Sequence, residues 1–100
     1  MASVQDLISS SKVLVLSKSY CPYCRTAKQT LGQFNPQGMK ILELDQIPNG
    51  GKLQAEAASL TGQRTVPNIW IGGKHIGGNS DLQSLGSATL QQYLVEAGAK

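Results

Sequence analysis

The chain has two cysteines, and both lie in the stretch SKSYCPYCRTAK, at Cys21 and Cys24. On the first turn of a helix, residues at i and i+3 share one face, and their Cα atoms come within the roughly 4.4–6.8 Å that a disulfide spans. A bridge closing so short a loop contributes little stability. The spacing therefore favours a disulfide that forms and breaks over a structural crosslink.

The residues around the pair indicate how the two thiols would differ. Pro22 suits the first position of a helix, which places Cys21 at or beside the N-cap. There, free backbone N–H groups and the nearby Lys18 and Arg25 favour a thiolate over a thiol. Cys24 lies one turn further on, with less exposure and less help from the helix dipole. We therefore predict that Cys21 attacks and Cys24 resolves.

Two other uses of a Cys-x-x-Cys pair stay open at this point. The pair could be half of a zinc site, but a closed site needs four ligands, and the chain offers only His75 besides the two cysteines. The pair could also be inert buried thiols, for which a proline at the helix start is an unusual choice. Thiol–disulfide chemistry is the favoured interpretation, and we expect no metal.

Composition bounds the class of protein. One hundred residues, 40% hydrophobic and 15% charged, predict a single globular domain over residues 1–100. No apolar run approaches the roughly 18 residues that span a bilayer, and the N-terminus lacks the pattern of a signal peptide. We therefore expect a cytoplasmic protein without membrane contact, and we expect it to be a monomer.

The net charge of +3 is concentrated around the cysteines. Residues 1–33 carry four basic residues and one acidic residue, whereas the rest of the chain carries five of each. A nucleic-acid-binding surface would need a longer basic stripe with interleaved aromatic residues, so we expect no nucleic-acid partner. Tuning of the thiols is the better use of this charge.

Hydrophobic periodicity predicts the elements that must position the cysteines. The predicted order is a capped helix from residue 3, a buried strand VLVLS, the cysteine helix, a strand MKILEL, a loop DQIPNGG, a helix over 52–60, a hairpin NIWI–GG–KHI and a helix from Ser80 on. A β-α-β unit followed by a hairpin and a helix predicts an α/β fold with a mixed sheet and helices on both faces. Trp70 is expected to pack on the face away from the cysteines.

The stretches KSYCPYC and TGQRTVPNIWIGGKHIGGNSD resemble dithiol glutaredoxins of the Cys-Pro-Tyr-Cys class, and the resemblance covers residues 3 to 97. The resemblance implies a thioredoxin-like fold with a central four-stranded mixed sheet. It also implies glutathione as co-substrate and, as partners, glutathionylated proteins and proteins with disulfides. The Trp-Cys-Gly-Pro-Cys pattern of thioredoxins is missing.

The resemblance further implies a groove for glutathione. Lys18 and Gln63 would meet the glycine carboxylate, and the residue before a cis Pro67 would pair its backbone with the cysteine of glutathione. A helix opening at Ser80 or Asp81 would hold the γ-glutamyl end, with Asp81 at its amino group. From the residues alone, these segments also fit a solvated lysine, a polar loop and a plain capped turn. The implied groove residues are Lys18, Tyr23, Gln63, Thr65, Val66, Pro67, Gly78, Ser80 and Asp81.

Two functions of other classes stay open. Some glutaredoxins hold an iron–sulfur cluster between two subunits; Pro22 speaks against this here, because relatives that do so generally have Gly or Ser at that position. A binding module with incidental cysteines would show no turnover. The resemblance favours the oxidoreductase, with Cys21 as nucleophile and Cys24 as resolving thiol.

Overall fold

The computed structural model describes residues 3–100. Four helices and four strands follow one another in the predicted order, with one short 3-10 turn after the second strand. They are α1 (Val4–Ser10), β1 (Val13–Ser17), α2 (Pro22–Gln33), β2 (Met39–Glu43), the 3-10 turn (Leu44–Gln46), α3 (Gly50–Thr61), β3 (Asn68–Ile71), β4 (Lys74–Gly77) and α4 (Asn79–Glu96).

The strands form one sheet in the order β2-β1-β3-β4. β1 runs parallel to β2 and antiparallel to β3, and β3 and β4 form the antiparallel hairpin. Parallel strands require a crossover, which α2 provides. The predicted α/β fold with a four-stranded mixed sheet is therefore confirmed.

The core lies in two layers, one on each face of the sheet. All five residues of β1 are buried, as predicted for a central strand covered on both sides. Val13 and Val15 pack against α2 and α4, whereas Leu14 and Leu16 pack against α1 and α3. Trp70 belongs to the second layer, so the prediction that it packs away from the cysteine helix is confirmed.

Three predicted boundaries are wrong. β2 ends at Glu43, and Leu44 turns into the 3-10 segment. α3 begins at Gly50, inside the predicted loop. A Cβ at Gly50 would collide with the Leu44 carbonyl, so this glycine serves close packing and not a flexible loop. α4 begins at Asn79, one residue before the predicted start.

α4 is also interrupted, which the sequence pattern did not predict. Gly86 has φ 75° and ψ 162°, outside the helical range, so the helix consists of two segments joined at this glycine. Within residues 3–100, no helix is both long and apolar enough to cross a membrane.

Candidate active site

Cys21 occupies the N-cap of α2, as predicted, with Pro22 at the first helical position. Its Sγ accepts a hydrogen bond from the Cys24 N–H at 3.2 Å, and its own N–H donates to the Lys18 carbonyl at 3.1 Å. The first turn of a helix has N–H groups without intrahelical acceptors. The Cys21 sulfur therefore sits where a negative charge is favoured.

The two free thiols have different surroundings. Cys21 is half-buried, whereas Cys24 is fully buried. Burial, together with the neighbouring Cys21 sulfur, raises the pKa of the Cys24 thiol to about 11. Cys24 is therefore protonated at neutral pH and inaccessible from solvent, while Cys21 is the thiol that a substrate can reach.

The loop before Cys21 is fixed by an aspartate that the sequence reasoning did not single out. The Ser19 N–H donates to Asp45 Oδ1 at 2.9 Å, and the Ser19 hydroxyl donates to Asp45 Oδ2. These bonds, with a third from the Gln46 amide, hold the pKa of Asp45 well below its usual range. A signal was present, because Asp45 follows β2 and the ends of parallel strands meet at one edge of a sheet.

A groove of about 640 Å³ contains most of the residues that the resemblance implied. Lys18 is the exception: it is half-buried in the loop before Cys21 and does not line the groove. Asn79 lines it in addition, at the first residue of α4. The lining residues are Tyr23, Gln63, Thr65, Val66, Pro67, Gly78, Asn79, Ser80 and Asp81.

The middle of the groove adjoins the nucleophile. The Val66–Pro67 peptide bond is cis, as the resemblance implied. The Val66 carbonyl oxygen lies 3.9 Å from the Cys21 Sγ. A molecule joined to Cys21 through its sulfur would therefore run directly past the Val66 backbone.

The Gln63 side chain holds the Thr65–Pro67 segment in place. Its Nε2 donates to the Thr65 carbonyl at 3.2 Å and to the Pro67 carbonyl at 3.0 Å. Both amide hydrogens are thereby engaged, so a carboxylate in the groove would have to displace one of these bonds to be bound by Gln63. In this structure Gln63 acts first as a positioning residue for the Thr65–Pro67 segment.

The far end of the groove is the start of α4. Asp81 Oδ2 accepts from the Gly78 N–H at 2.9 Å, which caps the helix. Gly77 has φ 117°, and a Cβ at this position would collide with the Asp81 carboxylate. The carboxylate is exposed, so it combines a fixed position with access to solvent.

Comparison with known proteins identifies the family. A sequence model described as Glutaredoxin matches residues 13–76. The chain is 48% identical to a glutaredoxin of Vernicia fordii, over 99% of this chain and 95% of that one. It is 44% identical to glutaredoxin-1 of Saccharomyces cerevisiae, over 93% of this chain and 87% of that one. The chain belongs to the glutaredoxin family.

Solved structures agree with this assignment. A buckwheat glutaredoxin–glutathione complex has a TM-score of 0.89 at 42% identity, covering 95% of this chain and 86% of that one. Wheat glutaredoxin has a TM-score of 0.91 at 43% identity, covering 97% and 92%. This glutaredoxin therefore has the thioredoxin-like fold and is a thiol–disulfide oxidoreductase, as the resemblance implied.

Zinc was one of the alternatives for the cysteine pair. Within residues 3–100, no three His, Cys, Asp or Glu side chains converge on a common point where a metal ion could be held. His75 lies on the hairpin, where its Nε2 is 2.6 Å from Asn68 Oδ1 and its ring packs at 5.2 Å from that of Trp70.

Proposed function

We propose that this glutaredoxin uses glutathione to reduce protein–glutathione mixed disulfides and protein disulfides, as a monomer in the cytoplasm. The observation that carries the proposal is the position of the Cys21 Sγ, at a helix N-terminus and 3.9 Å from the Val66 carbonyl that lines the groove. The buckwheat relative was solved as a glutathione complex, which supports glutathione as the molecule that this groove accepts.

The first reaction needs Cys21 alone. The Cys21 thiolate attacks the glutathione sulfur of a mixed disulfide, and the bond to the protein substrate breaks, so that the substrate leaves as a thiol. Cys21 keeps glutathione in a new mixed disulfide. A second glutathione thiolate attacks that glutathione sulfur, which releases oxidised glutathione and restores the Cys21 thiolate.

The groove would orient the glutathione held on Cys21. The Val66 backbone is available to pair with the cysteine of glutathione as a neighbouring strand would. The first turn of α4 offers N–H groups to the γ-glutamyl carboxylate, and Asp81 offers a carboxylate to its amino group. Tyr23, which is exposed at the groove, would cover the bound molecule.

The second reaction uses both thiols. Cys21 attacks a protein disulfide and forms a mixed disulfide with the substrate, and Cys24 then attacks the Cys21 sulfur. The substrate leaves as a dithiol, and Cys21 and Cys24 are joined. Two glutathione molecules reduce this internal disulfide and leave as oxidised glutathione.

A coupled assay with glutathione, glutathione reductase and NADPH tests the proposal, with a glutathionylated peptide as substrate. The expected result is that Cys21→Ser is inactive and Cys24→Ser still turns over, because the first reaction does not involve Cys24. If the wild-type protein is inactive here and active with thioredoxin reductase as electron source, the groove does not serve glutathione.

A further inference from the structure

The amide side chain of Asn79 is held in one orientation at the edge of the groove. Asn79 lines the groove as the first residue of α4. Its Oδ1 accepts a hydrogen bond from Gln83 Nε2 at 3.1 Å, one turn further along the helix. The same nitrogen donates its second hydrogen to Thr30 Oγ1 on α2, at 2.8 Å. The three side chains therefore form a connected chain from α2 to the groove.

These hydrogen bonds determine which end of the Asn79 amide is left for a ligand. A carboxamide carries an acceptor oxygen and a donor nitrogen, and a half-turn of the amide group exchanges their positions. Because Gln83 Nε2 is a donor, the oxygen of Asn79 and not its nitrogen must face Gln83. Asn79 Nδ2, on the opposite side of the amide carbon, is then the end that can donate to a molecule in the groove.

Asn79 and Asp81 together place a donor and an acceptor at the same end of the groove. Asp81 Oδ2 accepts from the Gly78 N–H, so Oδ1 is the oxygen available to a ligand. A donor beside a carboxylate is complementary to a group that carries both a carboxylate and an ammonium. Glutathione has such a group at its γ-glutamyl end, whereas its glycine end carries a carboxylate alone.

We propose that Asn79 is a specificity-determining residue for glutathione, and that Gln83 is the residue that positions it. Asn79 Nδ2 donates to the α-carboxylate of the γ-glutamyl residue, while Asp81 meets the neighbouring ammonium. Gln83 prevents the amide from turning its oxygen toward the carboxylate. The inference rests on the proposed function, because it concerns glutathione in the same groove.

The other groups of the groove are less suited to this carboxylate. Within residues 3–100, no lysine or arginine lines the groove, so a neutral donor must serve. Both amide hydrogens of Gln63 are engaged by the Thr65 and Pro67 carbonyls. Ser80 has a hydroxyl that can rotate, whereas the direction of the Asn79 amide is fixed by Gln83.

The test measures the transfer of three different groups from a peptide to Cys21. The cysteine of the peptide carries glutathione, an analogue with γ-aminobutyrate in place of γ-glutamate, or an analogue with glutarate in that place. The first analogue lacks the α-carboxylate, and the second lacks the α-amino group. The parent protein is Cys24→Ser, in which the mixed disulfide on Cys21 cannot close. Acid quenching and mass spectrometry give the rate constant of its formation.

Asn79→Ala should slow transfer from the glutathione peptide about tenfold, because a hydrogen bond to a charged group is lost. The glutarate analogue should slow by the same factor. The γ-aminobutyrate analogue should react at the parent rate, since it has no carboxylate at this position. Asn79→Asp should slow the glutathione peptide more than Asn79→Ala does, because two carboxylates would then face each other.

Two glutamine variants test the positioning role. Gln83→Leu frees the Asn79 amide to rotate and should slow the glutathione peptide about two- to tenfold, without slowing the γ-aminobutyrate analogue. Gln92→Leu is the matched control, because Gln92 is also an exposed glutamine of α4. Its Nε2 donates to Glu96 Oε2, four residues away, at 3.3 Å, but Gln92 does not line the groove. Its replacement should leave all three rates unchanged.

The outcomes are distinguishable. If Asn79→Ala slows all three peptides equally, the residue supports the structure of the groove and the specificity role is refuted. An unchanged rate with the glutathione peptide refutes it too, and equal rates in Gln83→Leu and Gln92→Leu refute the positioning role. If the parent protein takes glutathione and the γ-aminobutyrate analogue equally fast, nothing recognises the carboxylate: the inference fails and the proposed function stands. If the parent protein takes no glutathione from the peptide, both fail.

Discussion

Replacing Gly77 by alanine should damage both stability and the far end of the groove. Gly77 has φ 117°, where an L-residue is strained, and the new methyl group would collide with the Asp81 carboxylate. Asp81 would have to move, and it would give up the hydrogen bond from the Gly78 N–H. Gly73→Ala is the matched control, because Gly73 also has a positive φ, 80°, but has no neighbouring atom within 4 Å of the new Cβ.

Gly77→Ala and Gly73→Ala share one loss of folding free energy, from the positive φ, and differ in a second, from the Asp81 cap. Alanine at a positive φ costs roughly 1–2 kcal/mol, which applies to both. Loss of the Asp81 cap adds about 1 kcal/mol in Gly77→Ala alone. Gly77→Ala should therefore unfold about 4–8 °C below Gly73→Ala, since about 1 kcal/mol shifts the melting temperature of a domain of this size by that amount.

The same movement of Asp81 should weaken the use of glutathione. A hydrogen bond involving a charged group contributes about 1.5–3 kcal/mol, so kcat/KM for glutathione should fall about tenfold or more in Gly77→Ala. In Gly73→Ala it should stay at the wild-type value, because the hairpin turn is not part of the groove. Equal melting temperatures for the two variants, with unchanged kcat/KM in both, would refute the role given to Gly77 and Asp81.

Three further predictions follow from burial. Iodoacetamide at pH 7 should label Cys21 at least a hundredfold faster than Cys24, because Cys24 is inaccessible and its pKa is about 11; peptide mass spectrometry measures the ratio, and faster labelling of Cys24 would contradict it. Burial lowers the pKa of His75 from its usual 6.5, so the unfolded chain binds the proton more readily and the free energy of unfolding should decrease as the pH falls through 6.5. Urea titrations at pH 7.5 and 5.5 should show less of this decrease in His75→Gln. Leu94→Ala should lower the free energy of unfolding by about 2–5 kcal/mol, whereas Val95→Ala, at the exposed neighbouring residue, should change it by less than about 1 kcal/mol.

The elements of the fold could be predicted wherever their signals are local. The uninterrupted apolar run of β1 indicates a central strand, and the spacing around Cys21 indicates a helix start. The strand MKILEL was predicted, but its place at the edge of the sheet was not; Ile41 is 37% exposed because β2 is an edge strand. The start of α3 was missed because two glycines resemble a loop, and the close contact of Gly50 with Leu44 exists only in the folded chain.

The residues of the site also differ in whether local sequence signals could predict them. The roles of the two thiols could be inferred from spacing and helix capping alone. The cis Pro67 came only from the family resemblance, because about 5–6% of X–Pro bonds in folded proteins are cis. Asp45 was missed, since a carboxylate after a strand resembles a solvated residue until the neighbouring strand is known.

The topology explains why Asp45 is at the site. In a β-α-β unit, the crossover helix begins just after the carboxyl end of the first strand, and the second strand ends at the same edge of the sheet. Here that edge holds the start of α2 with Cys21, and the end of β2, which is followed by Asp45 in the 3-10 turn. Asp45 fixes the loop in front of the accessible thiol. Because Cys24 is buried behind this edge and takes no part in the one-thiol reaction, its replacement should change the two-thiol reaction and leave the one-thiol reaction intact.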